Sequence, residues 1–172
     1  INSNGIIPSE TADEETSRPA LAQAWRSFID YNPDNGVLAM ATQLGEAIEI
    51  YNLNNNTHKV LYGPAGEPEF QTGKDGSGIP SGIMGFSDIK VTTKHIYAVF
   101  QGVKFKDKLA TYQRGERPED GGRFIYVFDL QGNPVCKYTL DHAIYGIDIN
   151  EETNTIVATE VKSDDPIIEF KI

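Results

Sequence analysis

Ile48-Glu-Ile-Tyr-Asn-Leu53 returns in altered letters as Ile125-Tyr-Val-Phe-Asp-Leu130 and again as Ile167-Ile-Glu-Phe-Lys-Ile172. Each copy has an aromatic at its fourth position (Tyr51, Phe128, Phe170) and an aliphatic at its sixth (Leu53, Leu130, Ile172). Residues two apart share one face of a strand. A strand that recurs with the same face pattern marks a repeated sheet unit.

The flanking sequence extends each copy into the same unit. Before Ile48 stand Phe28-Ile-Asp-Tyr31, the turn Asn32-Pro-Asp-Asn-Gly36, Val37 to Thr42 and the turn Leu44-Gly-Glu46. After it come Asn54-Asn-Asn56 and Lys59-Val-Leu-Tyr62. Pro, Asp, Asn and Gly each help the backbone bend there. The result is a four-stranded antiparallel meander. A second unit runs through Ser87 to Val91, Ile96 to Phe100, a long charged insertion, Phe124 to Leu130 and Val135 to Leu140. A third has Tyr145 to Ile149, Thr155 to Thr159 and Ile167 to Ile172, one strand short. Ile29, Ile89 and Ile147 align, and so do Val37-Leu-Ala39, Ile96-Tyr-Ala98 and Ile156-Val-Ala158. Tandem four-stranded meanders are the blades of a β-propeller. A β-sandwich also yields short strands at regular spacing, but it does not ordinarily repeat one four-strand pattern three times. The chain therefore reads as all-β, with three propeller blades over 27–63, 86–142 and 143–172 and an N-terminal tail over 1–26. Within that tail, Ser17-Arg-Pro predicts a short helix, with Ser17 as cap and Pro19 in the first turn.

Composition bounds the function. A length of 172 residues is enough for one domain with a real core. A net charge of −10 argues against nucleic acid and anionic lipid as partners, since both need a basic surface. The plain reading of the acidity is solubility. The single Cys136 excludes an internal disulfide, and its apolar strand setting predicts a buried, inert thiol. No apolar run reaches the roughly 18–20 residues of a spanning helix, and no signal peptide is visible. The sequence opens on Ile1 without Met, as a processed protein or a fragment would.

Ile96-Tyr-Ala-Val-Phe100, the charged insertion, Ile125-Tyr-Val-Phe-Asp-Leu-Gln-Gly-Asn-Pro134, Tyr138-Thr-Leu-Asp141 and Ile147-Asp-Ile-Asn-Glu151 resemble the TolB-like six-bladed β-propeller proteins of Bacteroides and its relatives. The resemblance covers residues 27–172. It implies an exported protein, periplasmic or associated with the outer membrane, often a lipoprotein, and it assigns no reaction. It also implies that half of a six-bladed wheel is present. The remaining blades would come from the rest of a longer chain or from a second copy.

In such a wheel the two longest loops, Gly63 to Gly85 and Gln101 to Arg123, stand on one face. Loops of that length are either functional or mobile. Trp25, Phe86 and Tyr145 open or precede inner strands on that face, so they are expected around the channel mouth. With Arg26 and Arg114 they would suit a sugar or a planar acidic ligand; packing between blades is the competing reading. Metal ligation is poorly supported. His58, His95 and His142 lack ligand spacing, and Asp88, Asp141 and Glu160 are the carboxylates that could hold a divalent cation, as in lactonase-type propellers. Gly73-Lys-Asp-Gly-Ser-Gly78 lacks phosphate-loop spacing and reads as a turn. The expectation is a non-enzymatic binding propeller without cofactor, its partner a small molecule, a sugar or a protein. The alternative is a metal-dependent hydrolase of the lactonase type.

Overall fold

The computed structural model describes residues 6–160, 162 and 164–172. Ser17 caps helix α1 (Arg18–Ala24), its hydroxyl accepting from the Ala20 amide, with Pro19 in the first turn. Blade 1 follows as β1 (Ser27–Asn32), β2 (Val37–Thr42), β3 (Ala47–Asn52) and β4 (Thr57–Tyr62), paired antiparallel in that order. The first turn closes as its residues suggest: Gly36 adopts φ +69° and its amide donates to the Asn32 carbonyl. A small hairpin of β5 (Phe70–Thr72) and β6 (Gly78–Pro80) leads to blade 2. That blade holds β7 (Phe86–Val91), β8 (His95–Phe100), the inserted helix α2 (Phe105–Gln113), β9 (Gly122–Asp129) and β10 (Pro134–Ile144). Blade 3 has three strands: β11 (Ile147–Asn150), β12 (Thr155–Thr159) and β13 (Ile167–Lys171). The described blades do not close a ring.

Period-two patterning decides which blade meets which. Val37, Ala39, Ala41, Ile48 and Ile50 of blade 1 pack on Ile89, Val91, Ile96, Ala98 and Phe100 of blade 2. Tyr97, Val99, Ile125 and Val127 leave blade 2 by its other face and meet Ile147, Ile156 and Ala158. The aromatic of the recurring strand keeps its direction throughout. Phe128 faces blade 1, Phe170 faces blade 2, and Tyr51 lies on the open face of blade 1, opposite Leu38. Ile6 and Ile7 lie in a groove on that open face with Ile29, Leu38 and Met40.

Three inner strands converge on the axis, and their unpaired edges are satisfied across the seams. Asp30 accepts from the Val91 amide at 2.7 Å, and Asp88 accepts from the Ile147 amide at 2.8 Å. Each carboxylate thus closes an edge amide on the next blade that strand pairing leaves open. Phe28 of blade 1 meets Tyr145, at the start of blade 3, edge-on at 6.3 Å. At the opposite end, Glu151 accepts from the Thr93 amide at 3.0 Å and from its hydroxyl at 2.6 Å, tying blade 3 to blade 2.

Those bonds hold the Glu151 carboxyl below its ordinary value of 4.5, the Thr93 hydroxyl being the main cause. A depressed carboxyl pKa adds stability above the unfolded value and loses it as pH falls through that value toward the folded one. The group is well exposed, so the effect is small. Glu151→Gln is expected to flatten the loss of Tm between pH 5 and about pH 3. Equal slopes in the two proteins would contradict the clamp.

Three features differ from the sequence reading. Cys136 is exposed, because β10 is the outer strand of its blade and, among the described residues, no further strand covers it. The shared alanine is not one structural position. Ala98 and Ala158 pair with Ile89 and Ile147 and face the preceding blade, whereas Ala39 pairs with Asp30 and faces the following one. A one-residue offset in the alignment of β2 is enough to exchange faces. The two insertions also carry structure of their own, α2 and the β5–β6 hairpin.

Candidate functional site

Antiparallel topology places α1, the β5–β6 hairpin, α2 and the links between blades at one end of the strands. Backbone hydrogen bonds knit this face together. Gly45 donates to Ile83, Gly85 to Gln43, Met84 to Val103, Gln101 to Gly85 and Phe105 to Gly82. Residues 82–85 therefore run between the β2–β3 turn and the strand end before α2. Only glycine fits at 85, where an added Cβ would lie 2.5 Å from the carbonyl oxygens of Thr42 and Gly45. The hairpin is tied down as well: Gly78 donates its amide to Gln23 Oε1, and Ser17 donates its hydroxyl to the Gly76 carbonyl. Gly73-Lys-Asp-Gly-Ser-Gly78 forms the hairpin turn, closed by Asp75 Oδ1 on the Ser77 amide and hydroxyl.

The five rim residues expected around the channel fall in separate places. Trp25 is 5% exposed and packs with Ala24, Leu44 and Ala47 under α1; its indole nitrogen has no hydrogen-bond partner among the described residues. Arg26, next in sequence, is exposed beside Gln43 and Phe105. Phe86 is 1% exposed, between the blades, with ring centroids 5.2 Å from Phe100 and 6.2 Å from Tyr126. Arg114 ends α2 and bonds Glu116 and the Thr111 hydroxyl. Tyr145, 38% exposed, is the one of the three aromatics that is not buried, and its ring meets Phe28 edge-on.

The three carboxylates are likewise distributed. Asp88 is committed to the amides of Ile89 and Ile147, and burial raises its pKa against the pull of those bonds. Asp141 and Glu160 flank His142, at 3.6 Å and 3.7 Å from its ring nitrogens. Cations stand close by. Arg123 bonds Glu119 and the Asp141 carbonyl, and Lys162 reaches Glu119 at 3.4 Å. The Arg123 hydrogen bond is the main reason the Glu119 carboxyl titrates low. Among the described residues, no three His, Cys, Asp or Glu side chains are arranged to hold a metal ion.

Helix α2 lies on the surface of this face. Lys108 turns inward, donating to Gln101 Oε1 and pairing with Asp120. No residue of the helix is buried, and Leu109 and Tyr112 are 45% and 71% exposed. Two buried carboxylates escaped sequence reasoning. Glu49 accepts from Tyr51 at 2.7 Å and lies 3.1 Å from His58, whose ring stacks on Tyr51. Burial, then Glu49, pushes the Tyr51 hydroxyl up to about 12. Glu46 accepts from the Ala65 amide. For Glu49 the usable signal was an acidic residue inside an apolar strand, two residues from Tyr51 and so on the same face, whereas Glu46 in its turn carried no such signal.

A family model described as TolB-like 6-blade propeller-like matches residues 1–152. Among solved structures, the β-propeller domain of Cps50 (Swd1) from Myceliophthora thermophila is similar at 12% identity and a TM-score of 0.48, over 85% of this chain and 37% of that one. Hsv2 from Kluyveromyces lactis is similar at 16% identity and 0.42, over 85% of this chain and 33% of that one. The chain thus spans about a third of the length of these structures. No curated protein matches it.

Proposed function

We propose, from the premise that this chain belongs to the TolB-like 6-blade propeller-like family, that it is a non-enzymatic binding propeller acting outside the cytoplasm. Its recognition surface is the loop-bearing face around the channel mouth. The observation that carries this reading is α2. A helix with no buried residue adds little to folding, so its exposed Leu109 and Tyr112 are unexplained by the core. Arg114 and Arg117 follow directly at its C-terminal end. Aromatic residues and arginine are the side chains enriched at protein interfaces, where exposed lysine and glutamate are depleted. A partner protein fits this surface best. Arg26 and Tyr145 would contribute the part nearest the axis, with Trp25 and Phe86 as packing beneath.

Export is supported by the family, whose TolB-like members are typically periplasmic. Among the described residues no helix is long and apolar enough to cross a membrane. Cell fractionation of the native host is the check, with recovery outside the cytosol expected and a purely cytosolic protein contradicting it. For the surface, a photo-crosslinking p-benzoylphenylalanine in place of Tyr112 should give a discrete adduct in intact cells. Leu109→Ala with Arg114→Ala should remove it. An adduct formed instead from Asn55, at the far end of blade 1, would overturn the assignment of the face.

A further inference from the structure

Away from the channel, the outer part of the seam between blades 1 and 2 opens into a cleft of about 480 Å³. Strand register explains its lining. Ile48 pairs with Leu61, and both face blade 2; Tyr126 pairs with Lys137, and both face blade 1. Phe86 and Phe128 complete an apolar floor. Packed interiors seldom leave voids larger than a water molecule, whereas this volume lies within the range of small-molecule sites.

Two charged side chains line this cleft, and they differ: Glu46 is buried, whereas Lys137, on the outer strand, is exposed. Glu46 is 6% exposed and already engaged, the Ala65 amide donating to it at 3.0 Å, and its charge acts on the Tyr126 hydroxyl across the seam. Burial, followed by Glu46, pushes that hydroxyl up to about 12, so it keeps its proton at neutral pH. Lys137 stands at the mouth of the cleft, open to water. Its ammonium lies 4.0 Å from the Phe124 ring centroid and 5.3 Å from that of Tyr126. Among the described residues no carboxylate comes within ion-pair distance of it.

We propose that this cleft binds a monoanionic amphiphile, an alkyl or aryl carboxylate of roughly ten carbons by the usual fit of ligand to pocket volume. The apolar body covers Leu61, Phe86 and Phe128, and the carboxylate meets Lys137. The charge pattern selects this class. A carboxylate can pair with the exposed ammonium at the cleft mouth, a neutral chain gains nothing from it, a cation is repelled by it, and a second negative charge would lie in apolar surroundings shared with the buried Glu46. The cleft reaches the loop-bearing end at Glu46, Gly63, Pro64 and Phe86, but α2, Arg114 and Tyr145 do not line it, so the proposal does not depend on what those residues bind. The groove on the open face of blade 1 is an internal control. It is apolar too, but among the described residues its one charged lining side chain is Glu49.

The test is an NMR titration of the ¹⁵N-labelled protein with decanoate and, in parallel, decan-1-ol. Saturable shifts are expected at residues 61–64, 126–128 and 134–137, with decanoate binding roughly two- to fivefold tighter than the alcohol, the scale of one exposed ion pair. Lys137→Gln, which keeps the stem of the side chain, should abolish that preference without changing the affinity for decan-1-ol. Leu61→Trp should block both ligands by filling the floor. Equal affinity for the two ligands, an unchanged preference in Lys137→Gln, shifts centred on Ile29, Leu38 and Met40, or no saturable binding would each overturn the proposal.

Discussion

Phe86→Ala is expected to destabilise the protein by about 3–5 kcal/mol, the range for removing a buried aromatic side chain. Phe86 is 1% exposed, and its ring leans on Phe100 and Tyr126 at the first seam. Truncation removes those contacts and joins the new void to the neighbouring cleft, since Phe86 also lines that cleft. In urea the midpoint should fall with little change in slope. At roughly 2–4 °C per kcal/mol for a chain of this size, Tm should drop on the order of 10 °C. Phe86→Leu keeps most of the volume and should lose less than half as much. The pair of variants also separates two meanings of an aromatic at the start of an inner strand. A ring presented to ligand could be truncated with little effect on stability; a ring that joins two blades could not.

The second large effect is expected at Gly121, where the long insertion returns to β9. Its φ is +87°, and an added Cβ would lie 2.2 Å from the Ile144 carbonyl oxygen at the end of β10. Gly121→Val meets two penalties. The left-handed backbone costs a side chain about 1–2 kcal/mol, and β-branching makes it worse. The carbonyl must then move, and with it the backbone entering blade 3. A total loss above about 3 kcal/mol is expected on the usual scale for combined strain and overpacking. Gly115→Ala is the control, with φ +76° and nothing within 4 Å of the added Cβ. It meets only the backbone penalty and should cost about 1 kcal/mol. Equal losses in urea unfolding would show that the crowding at Ile144 does not exist.

Much of the fold was legible because it rests on period-two patterning. Tyr51, Phe128 and Phe170 fall on equivalent faces, and the turn at Gly36 forms where Asn, Pro and Asp precede it. Helix α2 was not legible because helix recognition depends on a buried apolar stripe, and α2 buries no residue. Cys136 misled because an apolar strand shows that one face is covered, not which residue lies on that face. The candidate rim was only partly readable. Tyr145 and Phe86 occupy similar places in sequence, yet Phe86 is buried between two blades and Tyr145 stays partly exposed. The cleft could not be seen at all. Its walls come from β4 and β10, and only the packing of two blades brings Leu61 to Lys137.

Convergence of the three inner strands on a common axis is tested most directly by a ring-to-ring nuclear Overhauser measurement on protein labelled at Phe and Tyr. The expected result is a cross-peak between the ring protons of Phe28 and Tyr145, whose centroids lie 6.3 Å apart. Two stacked sheets would have no reason to bring the first unit to the start of the third. A Tyr145 ring in contact only with residues after 134 would contradict the wheel.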